Sequence, residues 1–250
     1  MIRFWALFLC LLMSFSVLAQ QEGRMETDRP DQTECPFIVK KGFMQIEMGF
    51  NAHKSLESSE FLLPTSLIKY GIHRRLELRY ILIGTKKGGE RLSFQSEAIG
   101  FKWSLHPGNK WIPRTSIISH YQLANLNRDE SERNTLPHSL ADVVITCQID
   151  LSRKVGIGYN LGSEFHSNGS VEGIYRIAPN VLIGKRGYAY VEAFGRIPSL
   201  DTDHWVDGGI AYYVSDQVKL DASLGRSLTH GNDYYVALGI SMRWQIFGKP

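Results

Sequence analysis

After Met25 the chain falls into about a dozen short stretches in which apolar and polar residues alternate. The clearest are 42–50 (GFMQIEMGF), 76–83 (LELRYILI), 141–151 (ADVVITCQIDL), 155–164 (VGIGYNLGSE) and 234–244 (YYVALGISMRW). A period of two sends successive side chains to opposite faces of a sheet. Along 218–225, Val218, Leu220, Ala222 and Leu224 oppose Lys219, Asp221, Ser223 and Gly225. Along 155–164, apolar Val155, Ile157, Tyr159 and Leu161 oppose Gly156, Gly158, Asn160, Gly162 and Glu164. An apolar row that meets lipid and a small or charged row that meets a lumen is the pattern of a transmembrane β-barrel.

Strands are expected at 42–50, 64–72, 76–84, 93–105, 111–123, 140–151, 155–165, 171–184, 188–196, 205–214, 218–228 and 234–247. Most are long enough for a tilted strand to cross a bilayer. Connectors after the even strands are short (73–75, 106–110, 152–154, 185–187, 215–217). Those after the odd strands include the longer 51–63, 85–92, 124–139 and 197–204, with the polar run NRDESERN at 127–134. Short periplasmic turns, long outer loops and an even strand count belong to single-chain outer-membrane barrels. The expected fold is all-β: a transmembrane antiparallel up-and-down β-barrel of about twelve strands. The eighth stretch is long enough to hide a bend, which leaves the count open by two.

Bulk properties agree. The net charge of +3 gives no electrostatic case for nucleic acid as a partner. The mean hydropathy of −0.17 is too low for a helical membrane protein but ordinary for a barrel, whose apolar residues occupy every second position. Residues 1–19 read as a signal peptide, with Arg3 before an apolar core and Val17-Leu18-Ala19 as the cleavage site. Residues 20–41 do not alternate and read as a periplasmic leader or plug segment; 42–250 is the barrel. Cys35 and Cys147 could pair in an oxidising compartment, although the parity of Cys147 points it to lipid. Aromatic residues near strand ends suggest interfacial girdles: Tyr70, Trp103, Trp111, Trp244 and Phe247 at the periplasmic side, Phe50, Tyr121 and Trp205 at the outer side. Gly239, Met242 and Trp244 partly fit the last-strand spacing read by barrel-assembly machinery.

The inward rows define the candidate lumen: Glu47, Arg79, Lys102, Asp142, Glu164, Arg176, Asp207, Asp221 and Arg243, with Lys69, Glu77, Glu172, Glu192 and Lys219 on the same parity. Both signs are present in similar number. They can form a paired network that fills the barrel or a constriction that selects a solute. Mixed signs argue against a strong ion selector. The leader carries Thr27, Asp28, Arg29, Pro30 and Asp31. Its charges could enter the lumen and pair with Arg79, Lys102 or Arg243, or the leader could be a tether stiffened by proline.

The TDRPD run at 27–31, followed by Lys41-Gly42, Gln45-Ile46-Glu47, Glu77-Leu78-Arg79, Gly100-Phe101-Lys102, Asp207-Gly208-Gly209 and Leu220-Asp221, resembles the family named for the meta-pathway of phenol degradation. That resemblance implies an outer-membrane transporter of small, often aromatic, compounds and supplies no catalytic residues.

No catalytic, cofactor or metal constellation is legible. His120 and Ser119 are adjacent on a strand and so face opposite ways; His166 and Ser167 fall at the Asn168-Gly169 turn. The eight histidines show no metal-ligand spacing, and GTKKGG at 84–89 precedes no helix. The expected function is therefore a channel, not an enzyme, and the resemblance implies that its solutes are small, apolar or aromatic organic compounds. Its expected partners are outer-membrane lipid, the assembly machinery and the solute. The alternative is a closed structural or adhesion barrel whose outer loops bind a partner, and less readily an outer-membrane lipid hydrolase.

Overall fold

A computed structural model describes residues 23–55, 59–87, 92–123, 139–197 and 203–247. Twelve strands follow in order: β1 Phe43–Lys54, β2 Ser59–His73, β3 Leu76–Lys87, β4 Ser93–His106, β5 Arg114–Leu123, β6 Ser139–Asp150, β7 Val155–His166, β8 Val171–Ile183, β9 Gly187–Ile197, β10 His204–Ser215, β11 Val218–Ser227 and β12 Tyr234–Gln245. Each pairs antiparallel with its sequence neighbours, and β1 pairs with β12 from Phe43↔Gln245 to Lys54↔Tyr234, which closes the barrel. At about 3.3 Å per residue and a tilt near 45°, a strand of about twelve residues spans roughly 28 Å, the depth of a hydrocarbon core.

The packing is inverted relative to a soluble protein. Leu224, Ile210 and Val191 are 67%, 63% and 63% exposed on the outer surface, while Lys102 and Lys69 are 0% and 1% exposed inside. Water would penalise such an apolar exterior; lipid would not. A lysine or arginine turned outward at mid-membrane would cost about 2–4 kcal/mol. No helix among the described residues is long and apolar enough to cross a membrane.

Several boundaries differ from the pattern-based expectation. The anticipated 51–63 loop is mostly strand, because β1 runs on to Lys54 and β2 begins at Ser59. Alternation is lost there because the register shifts at Gly49/Asn51 and at Leu62/Thr65, across a proline that cannot donate to a ladder. β5 begins at Arg114, not 111. The Asn109 side-chain oxygen accepts from the amides of Trp111 and Ile112, each at 2.8 Å, and forms a turn instead. β8 is one strand: Pro179 interrupts its pairing with β9 without ending it. At the β7–β8 hairpin Gly169 has φ +84° and Asn168 accepts from the Ser170 amide at 3.0 Å, as a tight turn requires. The 1–19 segment, the 127–134 run and the glycines at 88–89 lie outside the described residues.

Candidate functional site: a leader held inside the lumen

Residues 23–42 enter the barrel from the short-turn end and return to it. At the start, Arg243 donates to the Gly23 carbonyl at 2.6 Å, and the Met25 amide donates to the Asp216 carbonyl in the β10–β11 turn at 3.0 Å. At the end, Lys41 bridges Gly71 on β2, and the Gly42 amide donates to the Gly71 carbonyl. Between these points the leader has little backbone pairing of its own. Its peptide groups are satisfied by wall side chains, as buried backbone must be. Glu47 accepts from the amides of Asp28 and Arg29 at 3.0 and 3.1 Å. Glu192 accepts from Gln32, Asn160 from Glu34 and Glu77 from Val39, at 2.7, 2.8 and 2.7 Å. The carbonyls of Cys35 and Pro36 accept from Lys102 and Ser116, both at 2.7 Å.

The centre of this arrangement is Asp28. Its carboxylate meets Lys69, Arg79 and Lys102, each at 3.0 Å, and accepts from the Cys35 amide. Without the leader these three bases would face only Glu47, which pairs with Lys69, and Glu77, 3.1 Å from Arg79. Asp28 thus supplies the carboxylate the wall is short of. Burial alone would push its carboxyl up; Lys102, Lys69 and Arg79 outweigh that and hold it well below the usual range.

Arg29 answers a wall charge of opposite sign, donating to Asp221 at 2.9 Å. Its guanidinium lies over Gly49 on β1 and Gly239 on β12, where any added Cβ would collide with it. The leader does not fill the whole section. Beside β7 and β8 it leaves a crevice of about 250 Å³, lined by Asp31, Thr33 and Cys35 on one side and Gly156, Gly158 and Tyr188 on the other.

The charges expected to line the lumen occupy three levels. Arg243 is at the floor, bonded to Gln217 and the start of the leader. Glu47, Arg79, Lys102 and Asp221 meet the leader at mid-height. Arg176 is 3.4 Å from Asn160, and Asp142 pairs with His120 at 3.1 Å. Glu164 and Asp207 stand nearer the outer mouth. In the leader, Thr27 donates to the Arg29 carbonyl, Pro30 is buried, and Asp28 meets Arg79 and Lys102. Asp31 does not reach Arg79, Lys102 or Arg243; Tyr188 donates to it at 3.4 Å. Cys35 faces the lumen, while Cys147 shares an outward row with Thr115, 3.6 Å away; both thiols are free and the wall separates them.

Two features escape local sequence patterns. Glu164, His166 and Glu172 place ligand-type atoms within 4.8 Å of one another, but Glu172 arrives from the next strand and Arg196, at 3.3 Å from Glu164, already supplies a cation. The second is aromatic. Trp205 is not an outer girdle residue: it points inward, stacked on Phe194 (6.3 Å, 11°) and beside Tyr235 and His53 at 5.9 and 5.7 Å. Beneath this cluster Tyr190 and Tyr235 donate to one oxygen of Asp207. The rule that apolar rings face lipid hid it, although Glu192 shares the parity of Tyr190 and Phe194.

No protein-family model matches the sequence, and no curated protein matches it. Among solved structures the chain is similar in fold to the COG4313 outer membrane channel from Pseudomonas putida F1 (TM-score 0.60, 11% identity, 88% of this chain and 100% of that one). It is also similar to a KdgM porin in complex with disordered oligogalacturonate (TM-score 0.54, 10% identity, 79% and 98%) and to the NanC porin (TM-score 0.52, 7% identity, 79% and 98%). The architecture is that of outer-membrane barrels.

Proposed function

We propose that the chain is a gated outer-membrane channel for small organic solutes, with residues 23–42 as its gate. The observation that carries this reading is the way the leader is held. It is not a thirteenth strand. Side chains grip it, chiefly through charges that the wall would otherwise leave unmatched, and it leaves an unfilled crevice beside the glycines of β7. A plug of this kind can leave without breaking a single rung of the barrel. Apolar or aromatic solutes are the class suggested by the TDRPD resemblance; insertion by the assembly machinery and an outer-membrane location follow from the barrel reading.

The closed structural barrel is the second reading, favoured by the complete burial of Lys69, Arg79 and Lys102. Planar-bilayer recording of the refolded chain, intact and lacking residues 20–40, separates the two. A severalfold rise in unit conductance on deletion supports the gate. Unchanged conductance in the deletion rules the gate out, and a deletion that stays silent favours the closed barrel.

A further inference from the structure

Both signs occur around the wall, with Arg176, Arg196 and Lys219 on β8, β9 and β11, but two buried groups differ in how their charge is matched. The bases of β2, β3 and β4 are consumed by Asp28, Glu47 and Glu77. Across the lumen, Asp31, Glu192 and Asp207 form a second group. Among the described residues no lysine or arginine forms an ion pair with any of the three. Glu192 and Asp207 are only 4% and 8% exposed. Glu192 is held by the Gln32 amide and the Thr33 hydroxyl. Asp207 spends one oxygen on Tyr190 and Tyr235, while its Oδ1 is buried without a partner.

Over this acidic neck stand His53, Phe194, Trp205 and Tyr235. Aromatic faces attract cations, most strongly where water is excluded. The same wall shows this chemistry lower down, where Arg24 lies 4.2 Å over Tyr213 and Lys219 lies 5.7 Å over Tyr188. The upper rings carry no such side-chain cation among the described residues. We infer that the outer half of the lumen is a binding site for small organic cations: an ammonium group received by the Phe194, Trp205 and Tyr235 rings and drawn on by the negative charge shared by Asp207 and Glu192, which face each other across β9 and β10. It deepens the channel reading by naming the solute class, and it rests on that reading only for the passage of the cation, not for its binding.

Two measurements on the full refolded chain test it. The first is binding of phenyltrimethylammonium, read as saturable quenching of the Trp205 fluorescence (wild type minus Trp205→Phe), with benzyl alcohol as the neutral control. Quenching by the ammonium alone, weakened about tenfold or more in Glu192→Gln/Asp207→Asn, is expected for charge-assisted aromatic recognition. Equal quenching by both compounds, none by either, or an unweakened double variant overturns the site. Because the double variant could misfold, Phe194→Leu is the second probe; it keeps every charge, and retained affinity in it also overturns the proposal. The second measurement is the reversal potential in a tenfold salt gradient. Cation preference of about fivefold or more supports the neck; a conducting but unselective or anion-selective channel overturns it. A silent bilayer with intact ammonium binding would instead overturn the channel reading and leave the site standing.

Discussion

Arg29 and Asp221 meet at 2.9 Å, one from the leader and one from β11, with the Asp221 side chain fully buried and the Arg29 side chain 18% exposed. Breaking such a pair from one side typically costs about 3–5 kcal/mol, because the survivor is left buried and uncompensated. At about 1.4 kcal/mol per tenfold, the seat of the leader should weaken at least about 100-fold. Arg29→Ala or Asp221→Asn should therefore convert a quiet channel into one with frequent openings in planar bilayers. The exchanged pair Arg29→Asp/Asp221→Arg should recover part of the quiet state.

Steric seating gives an independent handle. A Cβ at Gly49 would strike the Arg29 guanidinium and the Thr65 hydroxyl. Gly49→Ala should raise open probability in the intact chain and have a clearly smaller effect in a chain lacking residues 20–40, where only the Thr65 contact remains. An equal effect in both backgrounds would place the role of the glycine in the strand rather than under the leader.

Asp28 should be the most costly leader residue to neutralise. Asp28→Asn strips the shared carboxylate from Lys69, Arg79 and Lys102, and the expected loss is about 3–5 kcal/mol. Urea unfolding in detergent should show a lower midpoint with an unchanged slope if the barrel itself stays intact.

The thiol of Cys35 reports on the same event. Burial first, and the Asp28 charge next, push it well above its ordinary range, so little thiolate is present with the leader seated. A charged thiosulfonate reagent should label Cys35 slowly in the wild type and at least about tenfold faster in Asp28→Asn. A Cys35→Ser variant should show almost no labelling, since Cys147 lies on the outward row.

Acidity should tune the gate through Asp31. Burial raises its carboxyl from 3.8 to about 7; Lys219 opposes the shift, and Asp207 and Asp28 add to it, with Tyr188 as its hydrogen-bond donor. A seated value above the ordinary one stabilises the seat at low pH, and that contribution is lost as pH climbs through about 7. Asp28, shifted the other way, loses its contribution only in strong acid. Open probability should thus rise between about pH 4 and pH 7, and Asp31→Asn should flatten the profile.

Much of the barrel is visible in a one-dimensional pattern. The strand pattern and the inward parity of Glu47, Arg79 and Lys102 follow from alternation alone, because each strand must satisfy lipid on one side whatever its neighbours do. The path of the leader does not. Asp28 finds Lys102 from 74 positions away, and nothing near either residue encodes the meeting. Gly49 and Gly239 announce free space in a lumen but not what fills it. Trp205 and Phe194 mislead because apolar rings on a barrel strand default to lipid, and only their three-dimensional neighbours reveal an inward cluster.

Gly49 and Gly239 belong to the first and last strands, and they sit opposite each other where the barrel closes on itself. The cradle for Arg29 therefore comes into existence only when the final strand docks on the first. A half-built sheet offers the leader no complete seat, so the lumen cannot be stoppered before the wall is whole. Once seated, Arg29 lies across the last joint to form, as a pin lies across a clasp.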